Sequence, residues 1–246
     1  DRRHAEGLQL AQLVWRQVLH QRPARCVHGR GAGAAAGRLL ALAPTANSPE
    51  GSDSAFTWEQ FAQTINSDLA NVLGNFVNRI LKFNEAKFGG VVPAGGEAGP
   101  IEEALFARVD AALEQLTASL EGMEFRKAAS EVRALWVIGN EYLQEAAPWT
   151  AFKTDEVRAA VVVRTALNLV ALYARISAPF IPFAAETIAA SVGETDKTWP
   201  SQPAATELAR LPAGRAATAP EVLFKKIEDE QIAEWTERFG GADQTT

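Results

Sequence analysis

Residues 67–82, Ser-Asp-Leu-Ala-Asn-Val-Leu-Gly-Asn-Phe-Val-Asn-Arg-Ile-Leu-Lys, repeat their apolar positions at helical spacing and thereby exclude a strand. Leu69, Val72, Leu73, Phe76, Val77, Ile80 and Leu81 fall on one face, which must be buried against other elements. Asn71, Asn75 and Arg79 are four apart and stack into a polar stripe on the other face. Solvated stripes are usually built from Glu and Lys. Two amides and a guanidinium are instead side chains that hydrogen-bond base edges and phosphates. Surface Asn and Arg are also common on ordinary helices, so the spacing alone admits both readings.

Further helices follow. The pattern predicts one or two helices over 58–88, then a Gly- and Pro-rich loop over 89–100. An amphipathic helix over 101–120 carries Ile101, Leu105, Val109, Leu113, Leu116 and Leu120, and another over 124–146 is stopped by Pro148. Asp155 can cap a helix that reaches Ile176, with an apolar face of Val157, Val161, Leu167, Val170 and Leu172. Residues 179–190 read as the last helix of the bundle. No stretch alternates with period two, so the fold expected is an all-α helical bundle over 58–193. Residues 194–220 read as an irregular surface segment, 221–239 as a short final helix, and 240–246 as a disordered tail.

Composition bounds the function. The chain has 246 residues and a net charge of −6, which argues against nonspecific nucleic-acid binding but not against a local patch reading a few bases. Arg126, Lys127 and Arg133 could supply part of such a patch or be a solvated helix face. A single cysteine, Cys26, rules out an internal disulfide framework, and the three histidines, His4, His20 and His28, show no zinc-ligand spacing. No apolar run reaches membrane-spanning length and no signal peptide is evident, so a cytoplasmic protein is expected. Acid pairs such as Glu102–Glu103 read as solvated helix faces, and no residue reads as a nucleophile or metal ligand.

Five segments, in order, resemble the anticodon-binding region of the methionyl-tRNA synthetase family. The first is Asn-Ser-Pro-Glu-Gly-Ser-Asp-Ser-Ala-Phe-Thr-Trp at 47–58, similar to the link out of the catalytic domain. The second is the Asn/Asn/Arg helix with Lys-Phe-Gly-Gly-Val-Val-Pro at 87–93. Then come Asn-Glu-Tyr-Leu-Gln-Glu-Ala-Ala-Pro-Trp at 140–149, Ser-Ala-Pro-Phe-Ile-Pro-Phe-Ala-Ala-Glu at 177–186, and Leu-Phe-Lys-Lys-Ile-Glu at 223–228. The resemblance covers roughly 46–228. It implies the helical bundle of a class I aminoacyl-tRNA synthetase that recognises the CAU anticodon of tRNA(Met). By position, Asn71, Asn75, Arg79 and Trp149 fall on the family's anticodon-contacting residues. Unpaired bases can be splayed out, stacked on an aromatic ring or an Arg plane, and read on their pairing edges. Trp149 would be the stacking platform, although a tryptophan after a helix stop can equally be core; Asn amides can match the carbonyl and amino groups of C and U.

The resemblance implies ATP (with Mg) and methionine only for the full enzyme, through a catalytic domain absent here; this stretch by itself holds no cofactor and is expected to be inactive. The appended tRNA-binding domain of some members is not in this sequence, which favours a monomer. Two rival readings are the anticodon domain of a related class I synthetase (Ile, Val, Leu or Cys) and a helical protein-interaction module without RNA binding.

Residues 1–45 carry none of the family's motifs, and 31–38 are nearly low-complexity. Permitted codons for 15–30, read from the second base of the Trp15 codon, can yield Gly-Asp-Lys-Phe-Ser-Thr-Ser-Asp-Arg-Arg-Gly-Val-Tyr-Thr-Val-Glu. Lys-Phe-Ser-Thr-Ser is similar to the class I Lys-Met-Ser-Lys-Ser loop. Residues 1–45 are therefore read as an out-of-frame remnant of the catalytic domain's end, disordered or poorly packed, with 46–57 the linker into the bundle.

Overall fold

The computed structural model describes residues 57–239. The expectations for 1–45, for most of the linker and for the tail from 240 lie outside the described residues. Within them the chain is helical, as the periodicity requires. An isolated antiparallel bridge between Val91 and Ala216 is its one β-type pairing among the described residues.

The helical stretch expected over 58–88 has those bounds but is less regular than its spacing suggests. Helix α1 (Trp58–Thr64) runs directly into a π-helical segment, π1 (Ile65–Gly74), and on into α2 (Asn75–Phe88). Thr57 caps the start, its Oγ1 accepting from the Gln60 N–H at 3.2 Å. In π1 the Asn75 N–H still reaches back five residues to the Ala70 carbonyl. A later helix, Phe125–Ala146, ties to this segment at two points. The Val72 carbonyl accepts from Asn140 Nδ2 at 3.2 Å, and Arg133 pairs with Asp68 at 2.6 Å. Leu69, Leu73, Phe76, Val77, Ile80 and Leu81 are all fully buried, as the apolar face demands, and Val72 is half-buried.

Helices α3 (Pro100–Glu121) and α4 (Phe125–Ala146) form an antiparallel hairpin that turns at Gly122 and Met123. A one-turn helix, α5 (Pro148–Ala151), leads to α6 (Glu156–Ser177), which runs through the centre of the bundle. The predicted cap holds: Asp155 Oδ1 accepts from the Arg158 N–H at 2.9 Å. Helix α6 is apolar nearly all round and long enough by composition to cross a membrane, contrary to the sequence reading. It is instead buried in the bundle's core. Of its expected apolar face, Val161, Leu167, Val170 and Leu172 are buried. Val157 is instead 69% exposed, although its neighbours Arg158 and Ala159 face the bundle.

Helix α7 is Pro182–Ser191, starting three residues later than expected. Pro179 lies in the turn after α6, and Pro182 takes the first helical position, where a missing N–H costs nothing.

The segment expected to be an irregular surface stretch is irregular but anchored. Ala204, Leu208, Leu211 and Ala217 are buried, and a four-residue helix, α8 (Ala204–Glu207), seats Glu207 against Arg175 of α6 at 2.6 Å. The Leu211 N–H donates to Asn168 Oδ1 at 2.8 Å, and the Ala204 N–H to Asp110 Oδ1 at 2.7 Å. Final helix α9 (Asp229–Phe239) returns to α1, where Trp235 meets Trp58 at 5.2 Å between ring centroids.

Among the described glycines, Gly139 of α4 has the least room for a side chain. A Cβ there would lie 2.2 Å from the Tyr173 hydroxyl and 2.9 Å from the Phe76 ring. The Tyr173 hydroxyl cannot yield, since it is buried and donates to the Leu135 carbonyl at 2.7 Å. Gly139→Ala is expected to destabilise the fold by about 1–3 kcal/mol through overpacking. A chemical denaturation midpoint equal to wild type would show that α4 and α6 are not locked there.

Candidate nucleic-acid interface

The four residues singled out from the sequence come together on one face. Asn71 lies in π1, while Asn75 and Arg79 lie in the first turns of α2; all three are exposed. Among the described residues no hydrogen bond engages either Asn71 or Asn75 through its amide. Trp149, far away in sequence, joins them: the Arg79 guanidinium carbon sits 4.5 Å from the centroid of its ring. A planar guanidinium over an indole makes a flat, cationic, donor-rich surface, and a splayed base can stack on such planes.

Trp149 reaches this place through a sharp reversal. The α4 helix ends at Ala147 in the left-handed conformation (φ 39°, ψ 62°), and Pro148 then starts α5. The half-buried Trp149 ring rests edge-on against Phe83, at 6.4 Å and 87°. Phe83 belongs to a small aromatic cluster with Phe88 and Phe152, and Lys87 Nζ lies 5.3 Å from the Phe152 ring centroid. An exposed cation–π contact contributes only about 0.5–1 kcal/mol. Arg79 therefore cannot by itself hold the Trp149 turn in place.

The stronger restraint is Glu102, which the sequence reading treated as a solvated acid. Glu103 is indeed exposed, but Glu102 has no exposed surface. Its carboxylate accepts from Arg158 Nη1 at 2.5 Å and Nη2 at 2.8 Å, from the Tyr142 hydroxyl at 2.6 Å, and from the Gly99 N–H at 2.9 Å. Tyr142 lies on α4 just before the turn that bears Trp149, and Arg158 on α6 just after it. One carboxylate thus ties both stems of the turn to the start of α3. Burial alone would push the Glu102 carboxyl up. The hydrogen bonds from Arg158, Tyr142 and Gly99 outweigh it and hold the group below its ordinary value of 4.5. Burial and the same carboxylate push the Tyr142 phenol well above its usual range. Gly99-Pro100 followed by an acid at the third helical position was the available signal, since a capping acid reaches back to the N–H before the helix.

The basic patch considered at 126–133 does not form a free cationic surface. Lys127 is paired with Glu124 at 3.1 Å and Arg133 with Asp68.

The chain is similar to known proteins of one family. The family model of the anticodon binding domain of methionyl tRNA ligase matches residues 92–244, and a model of class I tRNA synthetases (M) matches 41–81. The methionine–tRNA ligase of Caulobacter vibrioides is 70% identical over 200 residues, covering 81% of this chain and 35% of the relative. That of Jannaschia sp. is 55% identical over 195 residues, covering 79% and 34%. The chain thus spans about a third of the length of the curated relatives it matches. Among solved structures, apo methionyl-tRNA synthetase from Mycobacterium tuberculosis superimposes with a TM-score of 0.68 at 24% identity, over 78% of this chain and 39% of that one. The same enzyme in complex with methionyl-adenylate gives a TM-score of 0.61 at 26% identity, over 71% and 34%.

A carboxyl held low stabilises the fold above its unfolded value, and the contribution is lost as pH falls through the folded one. Glu102→Gln is therefore expected to cost about 2–3 kcal/mol at neutral pH. The gap from wild type should narrow as pH drops below about 4.5. Denaturant midpoints across that range check this; a gap independent of pH would remove the carboxylate from the clamp.

Proposed function

This chain belongs to the methionyl-tRNA synthetase family, and on that footing we propose that its bundle reads the CAU anticodon of tRNA(Met) for a methionine–tRNA ligase. In the complete ligase a catalytic region outside the described bundle would join methionine to the tRNA at the expense of ATP. Asn71 and Asn75 supply amides to base edges, Arg79 supplies donors and charge, and Trp149 supplies the stacking surface. The observation that carries this reading is the meeting of Arg79 and Trp149, 70 positions apart in sequence, beside two amides that no described residue engages. An interaction module would need no such combination, and the matched family is the methionine one rather than that of another class I synthetase.

Titration of the chain with an anticodon stem-loop bearing CAU tests the assignment. Asn71→Ala, Asn75→Ala, Arg79→Ala and Trp149→Ala are each expected to weaken binding by about 1–3 kcal/mol, the range for a bidentate base contact or a stack. Wild-type affinity in all four variants, or equal affinity for loops with unrelated anticodons, would refute it. The chain by itself is expected to show no methionine-dependent pyrophosphate exchange; turnover above background would overturn the division of labour.

We also infer that residues 1–45 are read out of frame. The Lys-Phe-Ser-Thr-Ser run recoverable from the shifted codons supports this, and the class I match, which begins at residue 41, takes in only the last few residues of the stretch. Sequencing the DNA across these codons decides it: an uninterrupted present frame disposes of the idea.

A further inference from the structure

The Asn/Asn/Arg stripe has a second flank. Arg79 leans towards Trp149. Asn78 and Lys82, one residue before it and three after, project from the other side of α2. There they line a groove of about 520 Å³ together with Asn71 and Asn75, within the roughly 300–1,000 Å³ range of small-ligand sites. Its opposite wall is the extended segment 220–224.

That wall is fixed before any ligand arrives. The Ala219 N–H donates to Glu85 Oε1 at 2.7 Å, on α2 beyond the groove. At the other end Asn66 of π1 pairs twice with Ile227, its Nδ2 donating to the carbonyl and its Oδ1 accepting from the N–H, both at 2.8 Å. Between these anchors Phe224 lies against Gly74, where a Cβ would come within 3.0 Å of the ring. The missing side chain at 74 lets the wall close on the helix, while Val222, 62% exposed, stands at the groove's rim.

The lining has the polarity of a nucleotide. Three amides run along one wall. Lys82 is the groove's one cation and Glu221 its one anion. A lysine ammonium meets a phosphate as a point charge, and a carboxylate accepts from the exocyclic amino group of cytosine or adenine. We infer that the groove takes a second unpaired ribonucleotide, next in the strand to the one stacked on Trp149, with its phosphate at Lys82 and an amino-bearing base edge between Asn78 and Glu221. This rests on the RNA-reading function proposed above and extends it to residues outside the original stripe. The stripe then serves as a ridge between two base sites, Trp149 on one flank and the groove on the other.

The test uses the full chain and a CAU anticodon stem-loop, with Lys82→Met, Val222→Asp and Trp149→Ala compared with wild type over a salt series. All three positions are at least partly exposed, and unchanged circular dichroism melts will exclude unfolding. Lys82→Met is expected to lower the slope of log affinity against log salt by about 0.7, one single-strand phosphate contact. Val222→Asp, which puts a carboxylate at the rim, is expected to weaken binding about 5- to 150-fold. An unchanged salt slope in Lys82→Met, or wild-type affinity in Val222→Asp, overturns the groove assignment while leaving the stripe intact if Trp149→Ala still binds weakly. Wild-type affinity in Trp149→Ala as well would bring down the reading beneath it.

Discussion

A carboxylate with no exposed surface must find donors for both oxygens or be expelled, and Glu102 finds four of them on three different elements. The start of α3, the end of α4 and the start of α6 converge on it. The turn bearing Trp149 is the only chain between the last two, so its geometry follows from the clamp. The aromatic cluster beneath Trp149 adds shape, and the Arg79 contact adds charge. Without the clamp both would rest on a reversal at Ala147 held in a left-handed conformation that alanine disfavours.

The other half of the site depends on a helix that departs from α geometry. The π segment carries Asn71 and hands on to Asn75 at the first position of α2, and its Val72 carbonyl also accepts from Asn140 on α4. The same segment carries Asn66 and Gly74, through which the C-terminal strap is seated. One irregular stretch thus sets the spacing of the amides and fixes the wall across from them. Helix α6, buried along nearly its whole length, provides the rigid body against which both halves are held.

Much of this was legible in the chain. The apolar period marked every long helix, and the Asp155 cap and the Pro148 stop fell where local chemistry put them. The Asn/Asn/Arg stripe was visible because it depends only on spacing within one element. What spacing could not show were long-range partners. Glu102 looks like any acid in a first helical turn until Arg158 and Tyr142 are brought to it. The 194–220 segment looks like a surface loop because its anchors, Asn168, Asp110 and Arg175, lie on other helices.

The sequence by itself determined that the chain is a helical bundle and which face of each helix turns inward, because both follow from local propensity and from where apolar side chains recur. Its succession of short motifs also determined the family. Only the tertiary structure decided that Arg79 lies over Trp149, that a buried carboxylate holds the turn between α4 and α6, and that a strap walls the far flank of the stripe. Such contacts join residues tens to more than a hundred positions apart. Their energies arise from desolvation and packing, which no local pattern encodes until the chain has closed on itself.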